Sequence, residues 1–418
     1  MMVHFGLRRA LAPCAALALL LTLPAPGAYA QTSKPLKLGA LMPLSGPFAS
    51  LGQYAREGLT LYLQEHHDEL GGRKVEVVYG DDTNVPQVGL TQLRRLVEQE
   101  HVDLIFGPVA ANVGAAVVPY VEQQKLPMIW PIVSDDDLTQ RTPSAYVART
   151  GWSSSQTTHV LGDYAYKTLK YRRVATIAYD FNFGWQSIGG FVAAFQADGG
   201  KIVKQVWTPN VTTDFSPYLS ALPRDADAVM CSFSGQTAIN FMHQYREFGL
   251  KLPVICQGNA TDESFLDQEG PQAVGIISAL HYSAALDTPA NRAFVARYTK
   301  AYGHGPSYYG EGAYDAAEIL DHALAATHGT VGDPTAFVKT LRAVRISDAA
   351  RGPIAIDAYG NPVEDVYIRR VDERNGKLQN TVIKTYPNVS QFWTFDPKAF
   401  LAHPVYSRTY PPCNACSG

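Results

Sequence analysis

From Leu36 onward, apolar and polar positions alternate in two periods along the chain. LKLGALM (36–42) is a short apolar run of strand type. Beyond it, Leu51, Ala55, Leu59 and Tyr62 share one face of a 3.6-residue rhythm, which predicts a helix over 54–67. KVEVVYGDD then predicts a strand, 85–100 a helix, VDLIFGP a strand, 112–124 a helix and LPMIWPIV a fourth strand. Strands alternating with helices at this spacing build a parallel sheet through right-handed crossovers.

RTPSAYVARTGWSSSQ (141–156) is polar, carries Pro and Gly, and predicts a break. The alternation then restarts with RRVATIAYD, a helix over 185–197, KIVKQVW and a short helix over 215–222. DADAVMCSFS, a helix over 237–248, LPVICQG and VGIISALHYS continue it. Two such series predict two α/β lobes, each with its own sheet. Residues 289–302, 310–327 and 334–344 read as three successive helices that need a sheet face, and either lobe supplies one. GPIAIDAYGNP (352–362) and EDVYIRRVDERNGKL (364–378) read as extended, the second a hairpin turning near Asn375-Gly376. Beyond Tyr386 the chain is rich in Pro and aromatics, lacks a helical period, and is expected to pack irregularly over a lobe.

The first thirty residues follow another pattern. Arg8 and Arg9 precede the apolar LALLLTL (17–23), and Ala28-Tyr29-Ala30 is a small-x-small cleavage signal before Gln31. This predicts a cleaved secretory signal peptide and a chain exported to the periplasm. The apolar run is too short to span a bilayer. Cys14 precedes that run, so it does not supply a lipid anchor. Cleavage removes two of 35 basic residues and no acid, leaving 33 against 38, a net charge of −5. An acidic balance without basic blocks argues against nucleic acid as a partner.

Four cysteines remain after cleavage: Cys231, Cys256, Cys413 and Cys416. An oxidising compartment permits disulfides. The Cys413–Cys416 CxxC lacks the strand–CxxC–helix setting of a redox site, so a local disulfide pinning the tail is expected, with free thiols the second reading. Cys231 and Cys256 lie late in predicted strands and meet only if those strands are neighbours.

Catalytic signatures are mostly missing. No G-x-G-x-x-G follows the first strand, and SGPFASLG (45–52) lacks the lysine and glycine spacing of a phosphate loop. The run from Gly184 through Ser187 to Gly189 is one residue too long for a nucleophile elbow. His66-His67 is expected to be solvated, and Asp135-Asp136-Asp137 to be an exposed helix-capping turn rather than a metal site. No cofactor is implied.

In a parallel sheet, ligands meet the loops beyond the strand C-termini. Here the first lobe offers Phe48 and Leu51, then Ala111 and Asn112, then Ile132 and Ser134. The second offers Phe181 and Phe183, then Ser234, then Asn259. Small residues, amides and rings suit holding a solute by dipoles and stacking, not acid–base chemistry.

At these positions the chain resembles a known family. The segments are LMPLSGPFASLGQYAREGLTLYL, GGRKVEVVYGDD, IFGPVAANVGAAVVPYVEQQKLPMI, YDFNFGWQ and YREFGLKLPV. In order and spacing, over about 36–378, they resemble type I periplasmic solute-binding proteins of the branched-chain amino acid (leucine/isoleucine/valine-binding) family. The resemblance implies two lobes joined by three crossovers, near Thr150, Ser283 and Gly360, that close on a ligand like a hinge. The expected division is 31–150 with 284–360, 151–283 with 361–385, and a tail over 386–418. It also implies delivery of solute to a membrane ABC permease, no enzymatic activity and a monomer.

Amino-acid binders of this family hold the α-carboxylate with a Ser after strand three and a Ser or Thr after strand four. Ser134 matches the second; Ala111, beside Asn112, stands at the first. Their ammonium-binding acid is matched here by Gly258-Asn259, while Asp262 and Glu263 are expected to be helical and outward. Phe181 and Phe183 match ring-stacking positions, Tyr308 and Tyr309 match a return segment against the ligand, and Leu51 replaces an aromatic. The expected ligand is an aryl or short aliphatic carboxylate. Branched-chain amino acids, amides and urea are the alternatives, as is a sensor in place of a transporter.

Overall fold

The computed structural model describes residues 1–6 and 34–416. The expected signal-peptide core and its cleavage site lie outside the described residues. The first series comprises β1 (Leu36–Met42), α1 (Ala49–Glu65), β2 (Glu69–Leu70), β3 (Arg73–Asp81) and α2 (Pro86–Glu98). It continues with β4 (Leu104–Phe106), α3 (Ala111–Gln124), β5 (Met128–Trp130), α4 (Asp137–Gln140) and β6 (Val147–Arg149). The sheet order is β2-β3-β1-β4-β5-β6, parallel except for the β2–β3 hairpin. That hairpin turns through Gly71 and Gly72 at φ +57° and +75°, the left-handed pair a two-residue turn requires.

The second series comprises α5 (Ser154–Lys167), β7 (Arg173–Tyr179), α6 (Asn182–Ala197), β8 (Lys201–Thr208) and α7 (Ser216–Ser220). β9 (Ala228–Ser232), α8 (Gly235–Glu247), β10 (Val254–Gln257), α9 (Leu266–Glu269) and β11 (Ile277–Leu280) follow. After α10 (Pro289–Tyr302), α11 (Tyr308–Ala326) and α12 (Pro334–Ala343) come β12 (Arg345–Ala349), β13 (Gly352–Ile356), β14 (Pro362–Arg374), β15 (Lys377–Val389) and α13 (Pro397–Ala402). The second sheet runs β12-β13-β14-β11-β10-β9-β7-β8, with β15 paired to β14. Its β7–β11 pairs are parallel, and β14 is antiparallel to β11, β13 and β15.

The three successive helices fold back on the first sheet's own helix. α11 crosses α1 at Gly58, where a Cβ atom would sit 1.9 Å from the Gly310 carbonyl oxygen. Around that crossing, Tyr298 donates to Glu57 at 2.6 Å and Tyr62 to Asp321 at 2.7 Å.

Two expectations are corrected. The polar stretch 141–156 is not a plain break, because it holds β6 and the first turn of α5. α5 escaped the reading because its buried face is polar: residues from Ser154 to His159 are fully buried, and Ser153 with Gln156 forms a capping box. The tail is not wholly irregular. β15 extends to Val389, and α13 begins at Pro397, where Asp396 accepts from the Ala399 N–H at 2.8 Å.

Three guanidinium groups are buried where the two sheets meet. Arg149, ending β6, donates to Thr139 at 2.7 Å, to Asn361 at 2.8 Å and to the Asp135 carbonyl. Arg369 on β14 donates to the carbonyls of Gly258 at 2.7 Å and Tyr282 at 2.9 Å. Arg351, between β12 and β13, meets Glu311 at 2.8 Å, Asp315 at 3.0 Å and Glu364 at 3.1 Å. One cation among three buried carboxylates leaves an excess of acid. Burial pushes Glu364 up to about 8 and Glu311 well above its ordinary value, against the pull of Arg351.

Burial also raises Asp82, Asp136 and Asp262 to about 7 each. Folding therefore takes up protons between the ordinary carboxylate range and pH 7–8, so these groups lose stability as pH rises through that upper limit. His159, pushed down to about 3 by burial, and His281, also pushed down, act in the other sense, but only below about pH 6.5. Between those regimes the acids dominate. The expected outcome is a higher Tm at about pH 6.5 than at about pH 8.5 by calorimetry; a flat or reversed profile would mean these acids are ionised in the fold.

Cys231 and Cys256 are register partners on β9 and β10 and are bonded. Cys413 and Cys416 are bonded in a short loop against β8. Within it, Asn414 accepts from the Ile202 N–H at 2.9 Å and donates to the Gly200 carbonyl at 3.0 Å. Alkylation of the denatured exported protein is expected to add no label without reductant and four labels after reduction, read by intact mass.

Candidate functional site

Because the strands of each series are parallel, the loops after β1, β4 and β5 open on one edge, and those after β7, β9 and β10 on another. The two edges face each other across a cleft with about 450 Å³ of empty space, counting its mouth. From the first edge come Phe48 and Leu51 at the start of α1, Ala111 opening α3, and Ile132 and Ser134 beyond β5. From the second come Phe181 and Phe183 at the start of α6, Ser234 before α8, and Asn259 beyond β10. Tyr309, opening α11, closes the ring.

Asn112 alone among the expected residues does not line the cleft. Its Oδ1 turns back to accept from the Val113 N–H at 3.0 Å, satisfying one of the open donors of its own helix. The lining also includes Trp152, Tyr179, Tyr308, Asn84 and Asn210. Trp152 was hidden in the stretch read as a break, and Tyr179 is the last residue of a strand. Asn84 and Asn210 follow β3 and β8, whose loops lie outside the expected set. Their amides were the available signal.

Several contacts cross the cleft. Asn259 Nδ2 donates to the Tyr308 hydroxyl at 2.5 Å. The Phe48 ring lies against Gly235, whose Cβ would meet it at 3.7 Å. Asp135 accepts from Gln186 at 2.8 Å and from Asn182, both on α6, and Gln186 accepts from the Asp136 N–H at 3.0 Å. The acidic triplet is therefore not an exposed turn. Asp135 and Asp136 are buried, because α6 supplies amide donors to a carboxylate that would otherwise need water.

Asp262 and Glu263 are also corrected. Asp262 is fully buried, follows a short 3-10 turn in extended backbone, and accepts from Ser264 N–H at 2.9 Å and Tyr308 N–H at 3.4 Å. Glu263 sits 3.8 Å from Arg369. Neither lines the cleft.

No charged side chain lines it among the described residues. The field comes from backbone instead. α3, α6 and α8 start at the cleft after Ala110, Phe181 and Ser234, and no N-cap side chain closes their first turns. Each such end carries roughly half a positive charge. The Ser134 hydroxyl lies 3.0 Å from that of Ser154, which also reaches the Ser134 carbonyl at 2.8 Å. Together these groups suit an anion.

Comparison with known proteins decides the class. Residues 35–377 match the Periplasmic binding protein family. The chain belongs to that family. This binding protein is 31% identical over 381 residues to the Leu/Ile/Val-binding protein homolog 6 of Brucella melitensis, covering 87% of this chain and 94% of that one. It is similar in fold to an ABC-transporter solute-binding protein of R. palustris solved with benzoate, at 29% identity and TM-score 0.80, covering 85% of this chain and 98% of that one. A solute-binding protein of Rhodopseudomonas palustris BisB5, solved with 3,4-dihydroxybenzoic acid, is similar at 30% identity, with the same coverage and TM-score. These relatives are solute-binding proteins of transporters, not enzymes. The tail of this binding protein beyond 377 falls outside the family match.

The rings of the cleft pack on one another. Tyr179 lies 5.2 Å from Phe181 between centroids, Trp152 meets Phe183 edge-on at 6.4 Å, and Tyr308 lies 3.9 Å from Tyr309. Tyr179 also donates to the Ser234 carbonyl at 3.0 Å, which fixes the start of α8. The bonds to Asp135 then hold α6 to the first edge. Asp135→Ala would leave the buried Gln186 amide and the half-buried Asn182 amide without this acceptor. Its expected cost is about 1–3 kcal/mol, read from urea unfolding midpoints at unchanged slope.

Proposed function

We propose that this binding protein captures an aryl carboxylate of benzoate type in the cleft and hands it to the membrane permease of an ABC importer. One observation carries the reading: seven aromatic rings and uncapped helix N-termini line a cleft without a charged side chain. A flat ring stacks between Phe48, Phe181, Phe183 and the tyrosines. Its carboxylate lies toward Ser134 and the N–H groups at Ala111. Leu51 and Ile132 close the apolar side, and Ser234, Asn259 and Tyr309 supply polar contacts. An α-amino acid would bring an ammonium group. Asp262 and Glu263 are engaged elsewhere, and a buried ammonium without a carboxylate is costly.

The ligands of two relatives, benzoate and 3,4-dihydroxybenzoic acid, support this reading. The name of the Brucella relative, a Leu/Ile/Val-binding protein homolog, favours a second reading, a branched-chain amino acid. Capture by hinge closure follows from a site divided between two edges, and a monomer is sufficient for it. The division into 31–150 with 284–360, and 151–283 with 361–385, is part of the proposal.

A thermal-shift screen of the mature protein tests it, since a ligand of the native state raises Tm. The expected outcome is a rise with benzoates and none with leucine, isoleucine, valine or urea. A rise with leucine alone would replace the first reading by the second.

A further inference from the structure

Three buried polar atoms on residues of the cleft have no partner in the protein: Trp152 Nε1, Asn259 Oδ1 and Asn210 Oδ1. Trp152 is 1% exposed and Asn259 5%. Buried polar atoms nearly always find a partner, so three at one site call for a ligand that supplies them. Their chemistry is specific. The indole nitrogen only donates, and an amide oxygen only accepts.

Asn259 meets the Tyr308 ring through its nitrogen. Its Nδ2 is committed to the Tyr308 hydroxyl at 2.5 Å. The Tyr308 and Tyr309 rings lie 3.9 Å apart between centroids. Tyr308 receives from the Asn259 nitrogen, and the amide oxygen is left without a donor.

An unsubstituted benzoate does not complete this set. Its carboxylate accepts from Trp152, from Ser134 and from open backbone N–H groups. It has no hydrogen to give to Asn259 or Asn210. An ammonium group has hydrogens, but it would face helix N-termini of its own sign with no carboxylate on the lining. A ring hydroxyl is neutral, donates one hydrogen and accepts as well.

We propose that the cleft selects a hydroxylated aryl carboxylate over its unsubstituted parent, with Asn259 and Asn210 as the acceptors that determine specificity. The proposal rests on the aryl-carboxylate reading above. Tyr308 acts as a positioning residue, because its hydroxyl takes the Asn259 nitrogen and leaves the amide oxygen free.

Isothermal titration of the mature protein with benzoate, 3-hydroxy-, 4-hydroxy- and 3,4-dihydroxybenzoate, and 4-fluorobenzoate tests it. The fluoro compound adds bulk at the same ring position but donates no hydrogen. The expected result is a Kd at least about 10-fold lower for the best hydroxylated ligand than for benzoate or 4-fluorobenzoate. Asn259→Leu and Asn210→Leu are titrated in parallel, with their ligand-free melting curves as the check on folding. At least one is expected to shrink the ratio to about 2-fold by weakening the hydroxylated ligand more than benzoate, a selective effect that general loss of structure would not produce. If benzoate binds as tightly as every hydroxylated ligand, the inference falls and the aryl-carboxylate reading stands. If no aryl acid binds and leucine does, both fall.

Discussion

Strand polarity is the constraint on which the rest of this molecule depends. In a β–α–β unit of a parallel sheet, each strand ends, and the next helix begins, on the same edge. Two sheets of this kind set edge to edge bring their helix N-termini together over one cleft. At three of them here, the N-cap residues Ala110, Phe181 and Ser234 make no side-chain bond to the first turn. The cleft thereby acquires a positive field from backbone alone. Its side chains are left free to be rings and amides.

The same arrangement creates a difficulty at the junction. The two sheets are covered by helices on their faces, so the segments that join them run through the interior. Polar backbone ends there must find partners. Arg149 and Arg369, both fully buried, answer that need by donating to the carbonyls of Asp135, Gly258 and Tyr282. Arg351 links α11 to β14 through Glu311, Asp315 and Glu364. A guanidinium keeps its charge when buried and offers five donors in a plane, which is why it serves where a lysine would not. Burial raises the pKa of the Glu311 and Glu364 carboxyls beside Arg351.

The tail adds a further layer. Gln391, Tyr406 and Asn414 fasten it to Thr139, His159 and β8, and Arg141 donates to its Phe400 and His403 carbonyls. It runs from the junction across α5 and α6 to the sheet edge. There it occupies backbone groups of Ile202 and Gly200 that an open edge strand would expose.

Local pattern determined much of this protein. The alternation of strand and helix runs was legible from 36 to 378, and so were the parallel sheets, the Asn375-Gly376 hairpin and the loops that meet the cleft. Ten of the eleven residues expected at the site border it because loop position after a parallel strand is a property of chain direction, which sequence order carries. Tertiary structure decided the rest. Asn112 lies beside Ala111 in the chain, but its amide is spent on its own helix. Trp152 and the whole of α5 sat inside a polar run, whose burial depends on partners distant in sequence. Asp135, Asp136 and Asp262 read as surface acids until α6 and α11 covered them. A side chain's burial and its hydrogen-bond partners are set by what packs against it from elsewhere in the chain, and no local period records that.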